Sequence, residues 1–470
     1  MLSLKKISLN LFYLITIIVV NSCDLVDPTK VENQQVTDEK LRKSAAGGAK
    51  GIIVELQREL AATIGNISVL EVVSDNYTNT SSYLSRQLDN PSTITPYDIS
   101  IGSIYTNAQS IRALADFGLE TLLPLDKQTT DDQKAEVHFY KAMALLLLSE
   151  NFVAFPIKDG GEKITAKESL DSAIQHFVTA ELLTSDAAAK NKITLALARA
   201  YRIAGDKIKA TEYANKALSL SQDYVLYAEF STANLTNSAY AFVVSRSSND
   251  LQPLPRLDFL DPKYISDDAS IPILKTEEMH LILAEAALSN GDYNSAKQSM
   301  INAITLAQSR PTKKYHDTDP RRGRPNDSAM KVKTSPNAPE ISRLIQTRNG
   351  ESVNVYTISH TSVIVNDINA LTTREEFIRA LYLLRQEIFF LEGRRMSDLG
   401  IRLPVTQNQI ETNPNIVAGT DGTKVFVPQY IPVGGAELDK FSVNGDVVTI
   451  THDMNQLISE HIQEVSPFGF

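Results

Sequence analysis

Residues 193–220 read ITLALARAYRIAGDKIKATEYANKALSL, two helix-length apolar patterns hinged on one glycine. Ile193, Leu197, Ala200, Tyr201 and Ala204 recur at i, i+4, i+7, i+8 and i+11, which places them on one helical face. Gly205 follows, the residue type that ends a helix by entering the left-handed region. Ala210, Tyr213, Ala214, Ala217 and Leu218 then make the matching face of a second helix. Small side chains at Ala198, Ala210 and Ala217 allow the two backbones to approach closely. A pair of this kind cannot bury its apolar face alone, so it must stack on others.

Leu197, Ala198, Tyr201, Gly205, Ala210, Ala214, Ala217 and Leu220 together resemble a tetratricopeptide repeat. A plain helical hairpin has the same periodicity, but the pattern recurs. In residues 278–306, Leu283, Ala284, Ala287, Gly291, Tyr293, Ala296, Met300, Ala303 and Leu306 occupy the same steps. A third, interrupted copy takes residues 141–148 as its first helix and Ala173, Phe177, Ala180 and Leu183 as the face of its second, with Pro156 and Gly160-Gly161 in between. The expected fold is mainly α: tetratricopeptide-like helix pairs forming a right-handed helical scaffold, with irregular loop-rich insertions and few short strands. The pairs lie near 135–185, 190–220 and 275–308. The excursions are 74–96, 221–274, 309–372 and 401–470.

The 470 residues are 43% hydrophobic and 22% charged, a globular composition. The formal charge of -10 argues against a nucleic-acid groove as the main surface. A single cysteine excludes an internal disulfide and a thiolate metal cluster. The seven histidines show no metal-ligand spacing, so neither metal nor cofactor is expected.

Residues 1–22 read as a signal peptide: Lys5 and Lys6, then an apolar run over 7–20, shorter than the ~20 residues a membrane-spanning helix needs. Val20-Asn21-Ser22-Cys23 resembles a bacterial lipobox, which makes Cys23 the lipidated first residue of the mature chain. An ordinary secretory peptide is the alternative. Losing Lys5 and Lys6 would leave a charge of -10 - 2 = -12. Acidic residues in the 23–38 tether resemble the surface-export signals of Bacteroidetes lipoproteins. A single domain is expected over 39–470.

Within that domain, 39–62 reads as a helix capped at Thr37 or Asp38, with Gly47-Gly48 weakening it. Residues 74–96 read as a long polar loop holding Asp75, Asn76, Tyr77 and Tyr83. Residues 97–117 read as helix. Residues 135–157 are apolar nearly all round, as a buried helix would be, until Pro156 ends the pattern. Residues 224–230 and 240–245 suggest a short strand pair, and 353–364 a strand. Arg321-Arg322-Gly323-Arg324 reads as a solvated loop balanced by Asp317, Asp319 and Asp327, or else as an anion site. In residues 373–399, Phe377, Leu381, Leu384, Ile388 and Leu391 make one helical face, opened by a Thr373–Glu376 capping box, and Gly393 ends the regular pattern.

Three stretches now resemble one family, SusD/RagB. Lys141-Ala142 with Val153-Ala154-Phe155-Pro156 is similar to its Arg-Ala helix and following turn. Leu281, Ala284, Glu285 and Ala286 match its Leu-x-x-Ala-Glu-Ala helix. Glu387, Ile388, Glu392, Gly393, Arg395, Asp398 and Leu399 match its most specific signature. The resemblance implies a non-enzymatic lipoprotein on the Bacteroidetes outer-membrane surface. It would sit as a lid on a SusC-like TonB-dependent transporter and capture an oligosaccharide or peptide. The helix pairs would meet the transporter, and the loops would hold ligand, for which Asn76, Tyr77 and Tyr83 are the candidates. With no Trp, an aromatic platform would need Tyr or Phe; the segment that often carries Trp in the family has Tyr97 and Tyr105 here.

Glu392 and Arg395, three apart, can pair on one helical turn, and Asp398 can reach the same guanidinium or cap a following turn. The four residues Glu387, Glu392, Arg395 and Asp398 then form a structural brace; a catalytic carboxylate pair is the sharper alternative. A tetratricopeptide adaptor binding a protein partner is the competing function, though Gly205 and Gly291 lie farther apart than one ~34-residue repeat. A hydrolase would need a nucleophile elbow, metal motif or phosphate loop, and none is present.

Overall fold

The helix pairs form, and their ends are set by local chemistry. The computed structural model describes residues 48–79, 86–244, 251–318 and 324–470. The expected signal peptide, tether, Cys23, Tyr83 and Arg321-Arg322-Gly323 lie outside the described residues.

Helix α1 is Gly48–Ile67 and α2 is Ile99–Phe117, the latter capped by the Asp98 carboxylate, which accepts from the backbone N–H groups of Ser100 and Ile101. Helix α3, Asp131–Asn151, opens with a Thr130–Gln133 capping box, and α4, Ala166–Leu183, with a Thr165–Glu168 box. Helices α5, Ala187–Ala204, and α6, Lys207–Leu220, are joined at Gly205, which has φ 77°. Asp206 at once caps α6 by accepting from the Lys209 N–H. Helix α7 is the short Ser238–Val243. Helices α8, Thr276–Ser289, and α9, Tyr293–Ser309, repeat the α5–α6 device: Gly291 has φ 73° and Asp292 caps α9 through the Ser295 N–H. Helices α10, Arg374–Ile388, α11, Arg395–Asp398, α12, Gln407–Thr412, and α13, Met454–Glu460, complete the set used below.

Helix α3 packs most extensively on α4, α4 on α5, and α5 on α6. Helix α8 then packs on α5 and α6, so the stack runs on across the excursion that separates them in sequence. Helix α10 closes against α8 and α9, and α13 against α10. Pairs that are not consecutive in sequence are therefore consecutive in space. One continuous apolar interior links α1 to Phe468. Almost every residue of α3 from Phe139 onward is buried, because α1, α2, α4 and α5 surround it. Among the described residues no helix is long and apolar enough to cross a membrane.

The excursions contain more structure than their polarity suggests. Strand β1, Tyr77–Asn79, lies within the expected 74–96 loop. Strands β2, Ala154–Pro156, and β3, Lys163–Thr165, form a hairpin between α3 and α4. Strand β4, Val225–Ala228, is where a strand was expected, but its partner differs. Residues 240–245 fall largely in α7, because Asn237 caps a helix there by accepting from the Tyr240 N–H. Strand β5, Leu251–Pro253, pairs antiparallel with β1. Strand β6, Ile271–Lys275, pairs with β4 across a bulge at Leu226/Tyr227 and runs straight into α8. Strand β7, Lys313–His316, later pairs with β10, Ser352–Val355, so only the start of the expected 353–364 strand is extended pairing. Between these two, β8, Lys331–Lys333, and β9, Glu340–Ser342, join β11, Phe441–Asn444, and β12, Val447–Ile450, in a four-stranded sheet of order β11-β12-β8-β9. That sheet joins the third excursion to the fourth.

Candidate functional site: a buried junction and a polar cleft

The helix expected from Thr373 ends ahead of Gly393, and a reversal there leads into a second, short helix. Helix α10 stops at Ile388, and Leu391 and Gly393 take positive φ, 56° and 68°. A Cβ on Gly393 would stand 2.0 Å from the Ile67 Cγ2, so no other residue fits there without moving α1. The reversal changes every expected pairing. Glu392 and Arg395 do not meet. Glu392 Oε1 instead accepts from two buried lysines, Lys263 and Lys275, each at 2.6 Å. Arg395 makes a bidentate pair with Asp75, at 2.6 and 2.9 Å, and a third bond to Asn455. Asp398 receives Arg385 at 2.9 and 2.8 Å, with Arg202 at 3.7 Å, rather than Arg395. Glu387 accepts from Arg256, the Thr361 and Ser362 hydroxyls and the Ser362 N–H.

Four signature residues thus tie four distant segments to the helical stack. Burial opposes ionisation of Asp398, yet Arg385 and Arg202 outweigh it and hold the carboxyl below its usual range. Burial lowers Lys275 to about 8, against the pull of Glu392. Burial raises Glu71 to about 7, although Asn76 and the Gly393 N–H both donate to it. Glu387, Glu392, Arg395 and Asp398 are all nearly buried, and of the four Asp398 borders a small cavity of about 90 Å³ beside Arg202 and Arg394. These contacts form a clamp, with partners other than those expected from helical spacing.

The same clamp absorbs two of the three expected ligand residues, Asn76 and Tyr77. Asn76 is 0% and Tyr77 1% exposed. The Tyr77 hydroxyl donates to Asp261 at 2.7 Å, and its ring stacks on Phe390. The Asn76 amide donates to Glu71, and its oxygen accepts from Gln386. A ligand would have to displace these partners, so loop polarity here reflects an internal network and not a surface. Of the basic run, Arg324 alone is among the described residues. Asp317 pairs with Arg348, while Arg324 lies over the Phe441 ring, 3.7 Å from Asp439.

Larger openings lie elsewhere. One cleft of about 280 Å³ runs between the outer face of α2 (Tyr105, Gln109, Arg112), the turn after β2 (Pro156, Lys158, Asp159) and the start of α12 (Thr406, Asn408, Gln409). Its walls are tied together. The Gln109 amide donates to the Pro156 carbonyl at 2.7 Å and to the Tyr105 hydroxyl at 3.1 Å. The Gln407 N–H donates to the Pro96 carbonyl. Asn413 and Asn415 donate to the carbonyls of Gly161 and Gly160, and Lys163 donates to Thr420 and the Asp421 carbonyl. Tyr105, one of the two tyrosines singled out before α2, is buried but lines this cleft; Tyr97, just outside α2, is 71% exposed. A second cleft, about 490 Å³, opens between α10 (Arg379), the β8–β9 loop (Thr334, Ser335) and α13 (Gln456). Neither was visible in sequence, because each gathers ordinary solvent-face polar residues from three remote segments. Among the described residues no group of three or more His, Cys, Asp or Glu is placed to hold a metal.

A mainly helical protein of stacked helix pairs, with excursions clamped by a buried charge network, is the class the geometry defines. No protein-family model and no curated protein matches the sequence. Solved structures do match in fold. A SusD superfamily protein from Parabacteroides distasonis aligns with TM-score 0.54 and 12% identity, over 81% of this chain and 98% of that one. A candidate sugar-binding protein from Bacteroides vulgatus aligns with TM-score 0.53 and 13% identity, over 80% and 98%. A SusD superfamily protein from Bacteroides thetaiotaomicron gives 0.52 and 13%, over 80% and 97%. The fold of this chain is that of the SusD/RagB family.

Proposed function

We propose that this protein is a cell-surface nutrient-binding lipoprotein of the SusD class, not an enzyme. It captures an oligosaccharide or peptide and passes it to a SusC-like TonB-dependent transporter in the outer membrane. The observation that carries this reading is the SusD-like fold over four-fifths of the chain, one such neighbour being described as a sugar binder. The junction supports it: the signature carboxylates are spent on internal ion pairs, which leaves a rigid scaffold with open polar clefts for binding. Cys23, the chain's one cysteine and placed directly after an apolar run, is the proposed lipid attachment and membrane anchor. Two measurements test this. The full chain, expressed in a Bacteroidetes host, should take up labelled palmitate and copurify with a barrel transporter, and Cys23→Ser should abolish the labelling. Glycan and peptide arrays should then show binding in at least one class. Tight binding to an unrelated protein with no array signal would favour an adaptor instead.

A further inference from the structure

The cleft beside α2 carries more cations than anions, against the sign of the whole chain. The chain carries a formal charge of -10, yet two of the cleft's three charged residues are cations, Arg112 and Lys158, against Asp159. Arg112 Nε donates to Gln109 and Nη1 to Asp116, which leaves its Nη2 with no protein acceptor among the described residues. Asp116 is itself shared: Lys141 Nζ stands 2.6 Å from its other oxygen, so one carboxylate serves two cations and cannot neutralise both. Lys158 is exposed on the turn after β2 and has no carboxylate partner among the described residues. The remaining walls are hydroxyls and amides: Thr106, Ser110, Thr406, Asn408, Gln409. Donors and acceptors in such a ring suit a ligand rich in hydroxyls. The guanidinium edge and the free ammonium suit an anion, since charge-assisted bonds are about twice as strong as neutral ones.

We propose that this cleft binds a saccharide unit bearing an acidic substituent, a carboxylate or a sulfate ester, with Arg112 and Lys158 on the anion and the amide and hydroxyl walls on the sugar hydroxyls. The inference rests on the nutrient-binding reading and narrows its substrate class. At about 280 Å³ the cleft is just below the ~300–1,000 Å³ of typical small-molecule sites, so it takes one or two rings of a longer chain, the rest lying along the surface.

The test uses the full chain in detergent and calorimetry with matched probes: oligogalacturonate, its methyl-esterified neutral counterpart, an alginate oligomer and a heparin-derived sulfated oligosaccharide. At least one acidic probe should bind, and the neutral counterpart at least tenfold more weakly. Which acidic probe binds separates carboxylate from sulfate as the source of the charge. Binding should weaken as salt rises. Lys158→Gln and Arg112→Gln should each reduce affinity at least tenfold. The Lys158 carbonyl accepts from the Gly161 N–H, a backbone bond that Lys158→Gln keeps, and the side chain is exposed; thermal melting checks both variants. Equal binding of neutral and acidic probes, or acidic binding untouched by Lys158→Gln and Arg112→Gln, overturns this inference and leaves the broader reading standing. Binding of peptides alone does the same. No binding of any saccharide or peptide overturns both.

Discussion

Arg395 and Asp75 stand 320 residues apart and meet in a buried bidentate pair, Nε on Oδ1 at 2.6 Å and Nη2 on Oδ2 at 2.9 Å. Asp75 also accepts from Gln386, and Arg395 donates to Asn455, so the pair is the centre of a network that joins the segment after α1 to α10 and α13. Neither charge has water to fall back on. The clamp therefore works by mutual dependence: each ion is tolerated inside only because its partner is present.

Removing one partner should expose that dependence. Arg395→Met leaves Asp75 buried without its guanidinium, and the expected cost is ~3–5 kcal/mol in chemical denaturation. The double variant Arg395→Met, Asp75→Leu removes the orphaned charge and should recover most of the loss. If the double variant is as unstable as the sum of both single changes, the two residues are not energetically coupled.

The two helix-pair turns give a second, internally controlled prediction. Gly205 and Gly291 have nearly the same left-handed backbone, φ 77° and 73°, but different surroundings. A Cβ at Gly205 would lie 2.7 Å from the Pro467 carbonyl oxygen, whereas nothing lies within 4 Å at Gly291. Gly291→Ala should cost only the backbone strain, ~1–2 kcal/mol. Gly205→Ala adds an overpacking cost of ~1–3 kcal/mol and should loosen the C-terminal segment. Urea denaturation of both variants, with proteolysis of the C-terminal segment, checks the order. Equal losses would mean that Pro467 moves aside freely.

These turns show how much was legible. A glycine between two small-residue helical faces specifies the stop, so Gly205 and Gly291 could be read in the sequence, whereas the caps at Asp206 and Asp292 emerged with the structure. The signature was legible as a brace, but its partners were not. Helical spacing put Glu392 and Arg395 on one turn although Gly393, which ends the pattern, lies between them, and the positive φ at Leu391 and Gly393 turns the chain there. Local sequence also could not reveal that a polar stretch faces inward: Asn76 and Tyr77 look like loop residues until Glu71, Asp261 and Gln386 arrive from elsewhere in the chain. The cleft was hidden for the converse reason. Gln109, Lys158 and Asn408 are each unremarkable alone, and three-dimensional convergence is their only signal.

Tyr77 tests the reassignment from ligand contact to clamp. Tyr77→Phe keeps the ring on Phe390 but removes the hydroxyl that donates to Asp261. One acceptor is left short in a buried site, at a cost of ~1–3 kcal/mol. Stability should fall by that amount while affinity for any ligand found on arrays stays within twofold. A large loss of affinity at unchanged stability would return Tyr77 to the binding surface.

Acid should loosen the contact between α3 and α4. His138 and His176 face each other there, Nδ1 to Nδ1 at 2.8 Å with the rings stacked. Burial lowers both to about 4, assisted in each case by Lys141, while Asp116 opposes the shift at His176. One ring must donate and the other accept, so the neutral pair is satisfied and the doubly protonated pair is not. A histidine whose folded pKa is depressed binds fewer protons in the folded state than in the unfolded chain, where the value is ~6.5. The stability it contributes is fully present above pH ~6.5 and is lost as pH falls toward 4. The slope per ring is at most ~1.4 kcal/mol per pH unit, and less here because both rings are partly solvated. Thermal melting between pH 7.5 and 4.5 should show this decline, and His138→Gln, which can still bond to His176, should flatten it. A melting profile with the same acid slope in the variant would assign the loss to other groups, His360 foremost, since burial lowers it to about 4 as well.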